Sequence, residues 1–134
     1  MPTIHAKYLG GLRTEAKHLQ SGNVIITDAP TDNNGKGEAF SPTDLVCAAL
    51  ANCMMTLMGI AANRDNIALE GTEYEITKFM QADPRKIAKI EIIFRFPALN
   101  LTERQQTILR NTAKTCPVAL TLSEDVIVDT KFLF

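Results

Sequence analysis

The sequence predicts an α+β domain. Three observations carry that prediction: strand-like alternation at both ends of the chain, one long unbroken apolar run near its middle, and turn or capping residues at each boundary between them. A length of 134 residues fits one domain, 1–134.

From Thr3 to Thr27 the chain reads as short strands. Ile4, Ala6 and Tyr8 alternate with polar neighbours, Gly10-Gly11 supplies a hairpin turn, and Ser21-Gly22 a second before Val24-Ile25-Ile26. A loop follows from Asp28 to Phe40, broken by Pro30, Asn33, Asn34, Gly35 and Gly37. Its length is near the point where an unstructured connection needs a functional reason. Ser41-Pro42-Thr43-Asp44 opens a helix: Ser41 suits the N-cap, Pro42 the first helical position, and Asp44 an approximate capping box. The run from Leu45 to Ala62 is apolar on every side, interrupted only by Asn52, Thr56 and Gly59. Such a helix is buried in protein or spans a membrane. This one sits at the lower edge of spanning length, is rich in Ala and carries Asn52 near its middle, so it reads as a central buried helix.

Residues 71–80 and 86–96 form a hairpin pattern, with Tyr74 and Ile76 on one strand, Ile90, Ile92, Phe94 and Phe96 on the other, and Asp83-Pro84 in the turn. Thr102-Glu103-Arg104-Gln105 is a second capping box, opening a helix toward Lys114 with Ile108, Leu109 and Ala113 inward. Pro117 marks a break and the start of a short helix, and residues 126–134 close as a strand. No internal repeat interrupts this order.

Composition excludes several function classes. At 46% hydrophobic and 22% charged residues the chain folds and is not disordered. Fourteen basic against fifteen acidic residues give a net charge of -1, so nucleic acid is not the partner: no cationic excess exists to neutralise phosphates. No basic n-region leads into an apolar stretch at the start, which predicts a cytoplasmic protein. The only histidines are His5 and His18; a mixed Cys/His site would have to be assembled from distant segments with no close ligand pair, so no metal is expected. Lys78, Arg85 and Lys86 read as a solvated face.

Three cysteines, an odd number, point to reduced thiols and not to a disulfide framework. Cys47 and Cys53 share the long helix six positions apart, ~9 Å of rise and ~240° of rotation. A disulfide needs Cα atoms within about 7 Å, so an intramolecular couple must pair Cys116 with Cys47 or Cys53. Spacing alone leaves that choice open. Cys47 reads as a small buried apolar residue.

The run Ser41-Pro42-Thr43-Asp44-Leu45 through Ala49-Leu50-Ala51-Asn52-Cys53, followed by Cys116-Pro117-Val118, resembles the OsmC/Ohr family of osmotically inducible and organic hydroperoxide resistance proteins. His18-Leu19-Gln20-Ser21-Gly22, Thr27 through Pro30 and Asp83-Pro84-Arg85 extend the resemblance over nearly the whole chain. The resemblance implies an intertwined homodimer, with antiparallel sheets wrapped around two long central helices and two equivalent sites at the subunit interface. It also implies Cys53 as the thiolate that attacks an organic, fatty-acid-type hydroperoxide, with no metal, flavin, haem or other cofactor needed. Cys116 then resolves the resulting sulfenic acid as a disulfide, and a dithiol such as a lipoylated protein or a small thiol restores the pair.

Activating Cys53 is the physical difficulty. It lies about three turns from the helix start, beyond the reach of the N-terminal dipole, and an apolar setting raises a thiol pKa. A cation must approach it, and Arg13 is the nearest match to the family's arginine. Cys116, directly before Pro117, stands where a helix N-terminus favours a thiolate, so sequence chemistry alone allows the two roles to be exchanged. The family's peroxidase members carry a Glu that orients the arginine, and Thr43 stands there instead. Asp44, one position on, points about 100° away. The acid is then Asp44 or Glu38, or Arg13 is held otherwise, or peroxidase activity is reduced. Asp44 has the competing task of capping, and Asp28 and Pro30 read as turn residues.

Leu50, Met54, Met55 and Leu57 either line a greasy pocket or fill the core. Taken with the resemblance, the expectation is a cytoplasmic homodimeric thiol peroxidase. The alternative is an OsmC-like binding protein for a small apolar or electrophilic ligand with little turnover, which Thr43 keeps open. A thioesterase-like dimer has no general base near the buried helix.

Overall fold

A computed structural model describes residues 1–134, and its order of elements matches the expected sequence of strands, helix, strands, helices and strand. The chain forms two compact units, Met1–Val46 and Cys47–Phe134.

The first unit is a three-stranded antiparallel meander of β1 (Ile4–Gly10), β2 (Arg13–His18) and β3 (Val24–Asp28). The β1–β2 turn is one residue later than the glycine pair suggests. Gly11 (φ 61°) and Leu12 (φ 60°) occupy its centre, while Gly10 ends the strand at an irregularity in the ladder. Two central residues of positive φ match the right-handed twist of the paired strands. The Tyr8 hydroxyl accepts from the Leu12 N–H at 3.2 Å. At the second turn, His18 Nδ1 meets Ser21 Oγ at 2.6 Å, giving His18 a local turn role. Ile4, Tyr8, Leu9, Val24, Ile25 and Ile26 are exposed, so this sheet presents an unusually apolar surface.

Residues 29–40 fold back on the end of β3. Asp28 N–H donates to Phe40 O, Gly35 N–H to Pro30 O and Gly37 N–H to Ala29 O, at 2.9–3.2 Å. A 3-10 turn at Thr31–Asn33 starts the reversal, and a Cβ at Gly35 would overlap the Ala29 carbonyl. The long connection is thus an ordered strap.

Helix α1 runs Pro42–Arg64. Its start is a reciprocal cap: Asp44 N–H donates to Ser41 Oγ and Ser41 N–H to Asp44 Oδ2, both at 3.0 Å. By length and composition α1 could cross a membrane. In the fold it is a core helix that buries one face: Cys47, Leu50, Ala51, Met54, Met58 and Ala62, the i, i+3, i+4 spacing of a single stripe. Ala49, Asn52, Thr56 and Ile60 on the opposite side are exposed.

In the second unit, β4 (Glu73–Gln81) and β5 (Lys86–Arg95) form the expected hairpin, with Asp83-Pro84 in its turn. Strand β6 (Ile127–Leu133) adds to β5 in parallel, so this sheet is mixed, where the expectation was antiparallel pairing throughout. The reason lies in the connection. A parallel neighbour needs a crossover, here supplied by α2 (Glu103–Ala113) and α3 (Pro117–Thr121). Helix α2 carries the full capping box, Gln105 N–H to Thr102 Oγ1 at 3.1 Å and Thr102 N–H to Gln105 Oε1 at 3.0 Å.

Ile90, Ile92 and Phe94 of β5 are wholly buried and join the α1 stripe, Leu109, Ala113 and Cys116 in one core. Cross-strand register aligns Tyr74, Phe94 and Phe132, with ring centroids 5.2 and 5.5 Å apart. Phe96 and Phe134 stack beside them at 4.7 Å. Phe94 is the centre of this row, so Phe94→Ala removes contacts on both sides. We expect a loss of about 3–5 kcal/mol of stability, measured as a lower urea midpoint; a midpoint within error of wild type contradicts this packing.

Candidate thiol site

In the second unit, two cysteines meet. The helix position of Cys53, one residue after Asn52, is fixed from outside α1 by Tyr74 of β4, whose hydroxyl donates to Asn52 Oδ1 at 2.6 Å. This bond accounts for the polar residue in the middle of the apolar run. Cys116 is the N-cap of α3, its Sγ accepting from Ala119 N–H at 3.2 Å. Cys53 is close enough to Cys116 to act on its thiol. All three cysteines are thiols.

Their settings differ. Cys53 is half-buried, whereas Cys116 is wholly buried. Burial pushes the Cys116 thiol above its ordinary pKa; the Ala119 N–H opposes this, and the neighbouring Cys53 adds to it. The helix-terminus argument for a Cys116 thiolate is therefore reversed: the N-cap position is real, but desolvation outweighs the N–H groups of a five-residue helix. Cys47 sits in the core at 3% exposure, in keeping with its reading as a small apolar residue. Leu50 and Met54 are likewise core, while Met55 and Leu57 are only partly covered. No group of three or more His, Cys, Asp or Glu side chains is arranged to hold a metal ion.

In the first unit, Arg13 is clamped by two acids. Its Nε and Nη2 donate to Asp28 Oδ1 and Oδ2 at 2.7 and 2.8 Å, and Nη2 also donates to Glu38 Oε1 at 3.0 Å. The Glu38 N–H donates to Asp28 Oδ2 at 3.2 Å, so the strap carries Glu38 onto the pair. Asp28 has 1% of its surface exposed, and the Arg13 guanidinium holds its carboxyl below the usual carboxylate range. Of the expected acids, Glu38 contacts Arg13. Asp44 is engaged in the α1 cap, and Thr43 Oγ1 lies 3.1 Å from Ser41 Oγ.

Asp28 is the partner of Arg13 that sequence reasoning missed, because Pro30 two positions on suggests a turn. The signal was available in the register. Centring the second turn between Gln20 and Ser21 pairs Arg13 directly with Asp28, and opposite charges at paired strand positions attract.

The profile of the OsmC-like protein family matches residues 35–131. The chain belongs to the OsmC-like family. A Psychrobacter arcticus protein, provisionally described as an osmotic stress induced and detoxification response protein, is similar at 49% identity. The match covers 98% of this chain and 96% of that one, with a TM-score of 0.94. The organic hydroperoxide resistance protein OsmC of Legionella pneumophila shares the fold at 20% identity, covering 100% and 98% of the two chains, with a TM-score of 0.73. An OsmC-like protein from Mycoplasma pneumoniae does so at 17% identity, 98% and 96% coverage and a TM-score of 0.76. No curated protein sequence matches the chain.

The Arg13–Asp28 pair has a defined pH signature. A carboxyl whose folded pKa is depressed contributes stability that is present above its unfolded value, about 3.9, and is lost as pH falls through the folded value. Asp28→Asn should therefore lower the urea midpoint at pH 7, and the gap to wild type should narrow as pH drops below about 4. Equal midpoints at pH 7 would remove the clamp from the account.

Proposed function

We propose that this OsmC-like protein is a thiol-dependent reductase of organic hydroperoxides, working through Cys53 and Cys116. The observation that supports the reading is that a half-buried thiol and a wholly buried one are close enough for one to act on the other. Their unequal exposure sets the order of events. Cys53 is accessible and attacks; Cys116 is buried, kept protonated, and follows.

In the first step the Cys53 sulfur bonds to the distal oxygen of R–O–O–H and the O–O bond breaks. The thiol proton ends on the departing oxygen, giving R–OH and Cys53–SOH. In the second step the Cys116 sulfur displaces hydroxide from that sulfur, with its own proton completing water, and a Cys53–Cys116 disulfide results. An external dithiol, such as a lipoylated protein or a small thiol, then takes the oxidising equivalents by thiol–disulfide exchange. The raised pKa of Cys116 suits this order, because a protonated partner does not compete for peroxide, and its thiolate is needed only after Cys53 is oxidised.

Arg13 is the proposed cation for Cys53. Asp28 holds the guanidinium in a bidentate fork and so takes the orienting part that the family's Glu plays at the position of Thr43. Glu38, with a side chain 66% exposed, is the weaker second ligand. The working unit is a cytoplasmic homodimer, and the 134 residues act as one domain. The apolar outer surface of β1–β3 and the uncovered face of α1 support dimerisation, since both would otherwise stay in water. A second reading, a binding protein with little turnover, is favoured by Thr43, whose hydroxyl cannot form a carboxylate clamp.

One experiment separates the two. Reduced protein is treated with one equivalent of cumene hydroperoxide while intact mass and free thiols are followed. We expect rapid loss of two thiols per chain, abolished by Cys53→Ser and slowed at least tenfold by Arg13→Ala. Thiols that survive excess oxidant for hours would overturn the enzyme reading in favour of binding; a faster Arg13→Ala protein would overturn the choice of cation.

A further inference from the structure

Away from the thiols, the second unit holds a cavity of about 250 Å³ between the end of α1 and helix α2. Its walls are apolar, from Ala61, Ile67, Ile108 and Leu109, and its rim carries two guanidiniums, Arg64 and Arg104. Neither arginine forms an ion pair. The one acid in the lining, Asp65, has its Oδ2 engaged by Gln105 Nε2 at 3.4 Å. Arg64 is in the last turn of its helix, where a cation is favourable. Arg104 is in the first turn of α2, where the helix field opposes a cation. An unpaired arginine kept at the wrong end of a helix, over an apolar hollow, is placed for an anion with a hydrocarbon tail.

The helix geometry relates this hollow to Cys53. Positions 53, 57, 61 and 64 fall within roughly 80° of one another around α1. Cys53, Leu57 and Ala61 along this strip are all half-buried. From Cys53 to Arg64 the rise is about 16 Å. Helix α2 runs antiparallel to this stretch: its first turn reaches Asp65, and the chain just beyond its last turn reaches Cys53 through Cys116. Thr112, near the far end of α2, also lines the hollow.

We infer that Arg64 and Arg104 form a carboxylate-reading subsite, which selects long-chain fatty-acid hydroperoxides by holding the acid group about three turns of helix from Cys53. The inference rests on the peroxidase reading for its catalytic consequence, but not for the binding itself. A span of about 16 Å excludes short acids from touching both ends at once. An acid oxidised well along its chain has the reach, with its tail lying on Leu57 and Ala61.

Two measurements test it. The first compares kcat/KM for linoleic acid hydroperoxide and for its methyl ester, in wild type and in Arg64→Gln/Arg104→Gln. We expect the acid to be favoured at least tenfold in wild type and the preference to fall below about twofold in the variant, the loss expected when charge-assisted bonds to a carboxylate disappear. A wild-type ratio near one, or a ratio unchanged in the variant, would overturn the subsite. The second measurement needs no turnover. Cys53→Ser protein is titrated with decanoate and with decanol, below their aggregation limits, and backbone amides are followed by NMR. Saturable shifts at Arg64, Arg104, Ile108 and Thr112 with decanoate and not with decanol support the inference; equal responses, or shifts only elsewhere, contradict it. If wild type consumes neither hydroperoxide, nor cumene hydroperoxide, the peroxidase reading fails and the titration alone decides whether the subsite exists.

Discussion

A helix that is apolar all round but covered on one side only is the constraint from which the second unit's chemistry follows. Burying the stripe from Cys47 to Ala62 against β5 and α2 sets the rotation of α1 about its own axis. That rotation leaves Cys53 off the buried stripe, half-covered, and near enough to Cys116 to act on its thiol. A change of one position in the register of α1 would turn the sulfur by about 100°. Tyr74 guards against such a slip, because its hydroxyl finds Asn52 only in the observed rotation. Packing thus places a half-covered thiol that packing itself does not need.

Two ways of controlling charge coexist in the chain. Cys116 is governed by desolvation, which keeps its proton in place despite an N-cap position. Arg13 is governed by paired acids of unequal character: Asp28 is buried and bidentate, Glu38 exposed and held by one bond. Removing the buried member leaves a charge without its main partner, whereas removing the exposed one costs little. That inequality gives the guanidinium one fixed and one exchangeable contact. In the β2–β3 ladder the fixed contact comes from the last paired position, so the strand register itself orients the cation.

Much of this was legible in the sequence, and the parts that were not have physical causes. The helices could be bounded because their ends carry local chemistry: Ser41 with Asp44, and Thr102 with Gln105, form caps that need only four residues to recognise. The β4–β5 hairpin was visible as period-two alternation around Asp83-Pro84. The direction of β6 was not, since parallel pairing with β5 depends on the path of the crossover over residues 96–126, not on any local pattern. The first hairpin turn fell on Gly11 and Leu12 because a leucine accepted a positive φ that composition assigns to glycine. Asp28 was hidden by Pro30 two positions on, and only cross-strand register exposes its partnership. For Cys116, local sequence indicated the field of a helix terminus but not the burial that outweighs it, and burial is a property of the whole core.

The central claim is that the Cys53 and Cys116 sulfurs form a working pair. Peptide mapping after a single equivalent of organic hydroperoxide tests it most directly. The account predicts one dominant cross-linked species, joining the peptide of Cys53 to that of Cys116 within the same chain, with Cys47 still alkylatable once the protein is unfolded. A dominant link through Cys47, or Cys53 recovered only as higher oxides with Cys116 untouched, would contradict it.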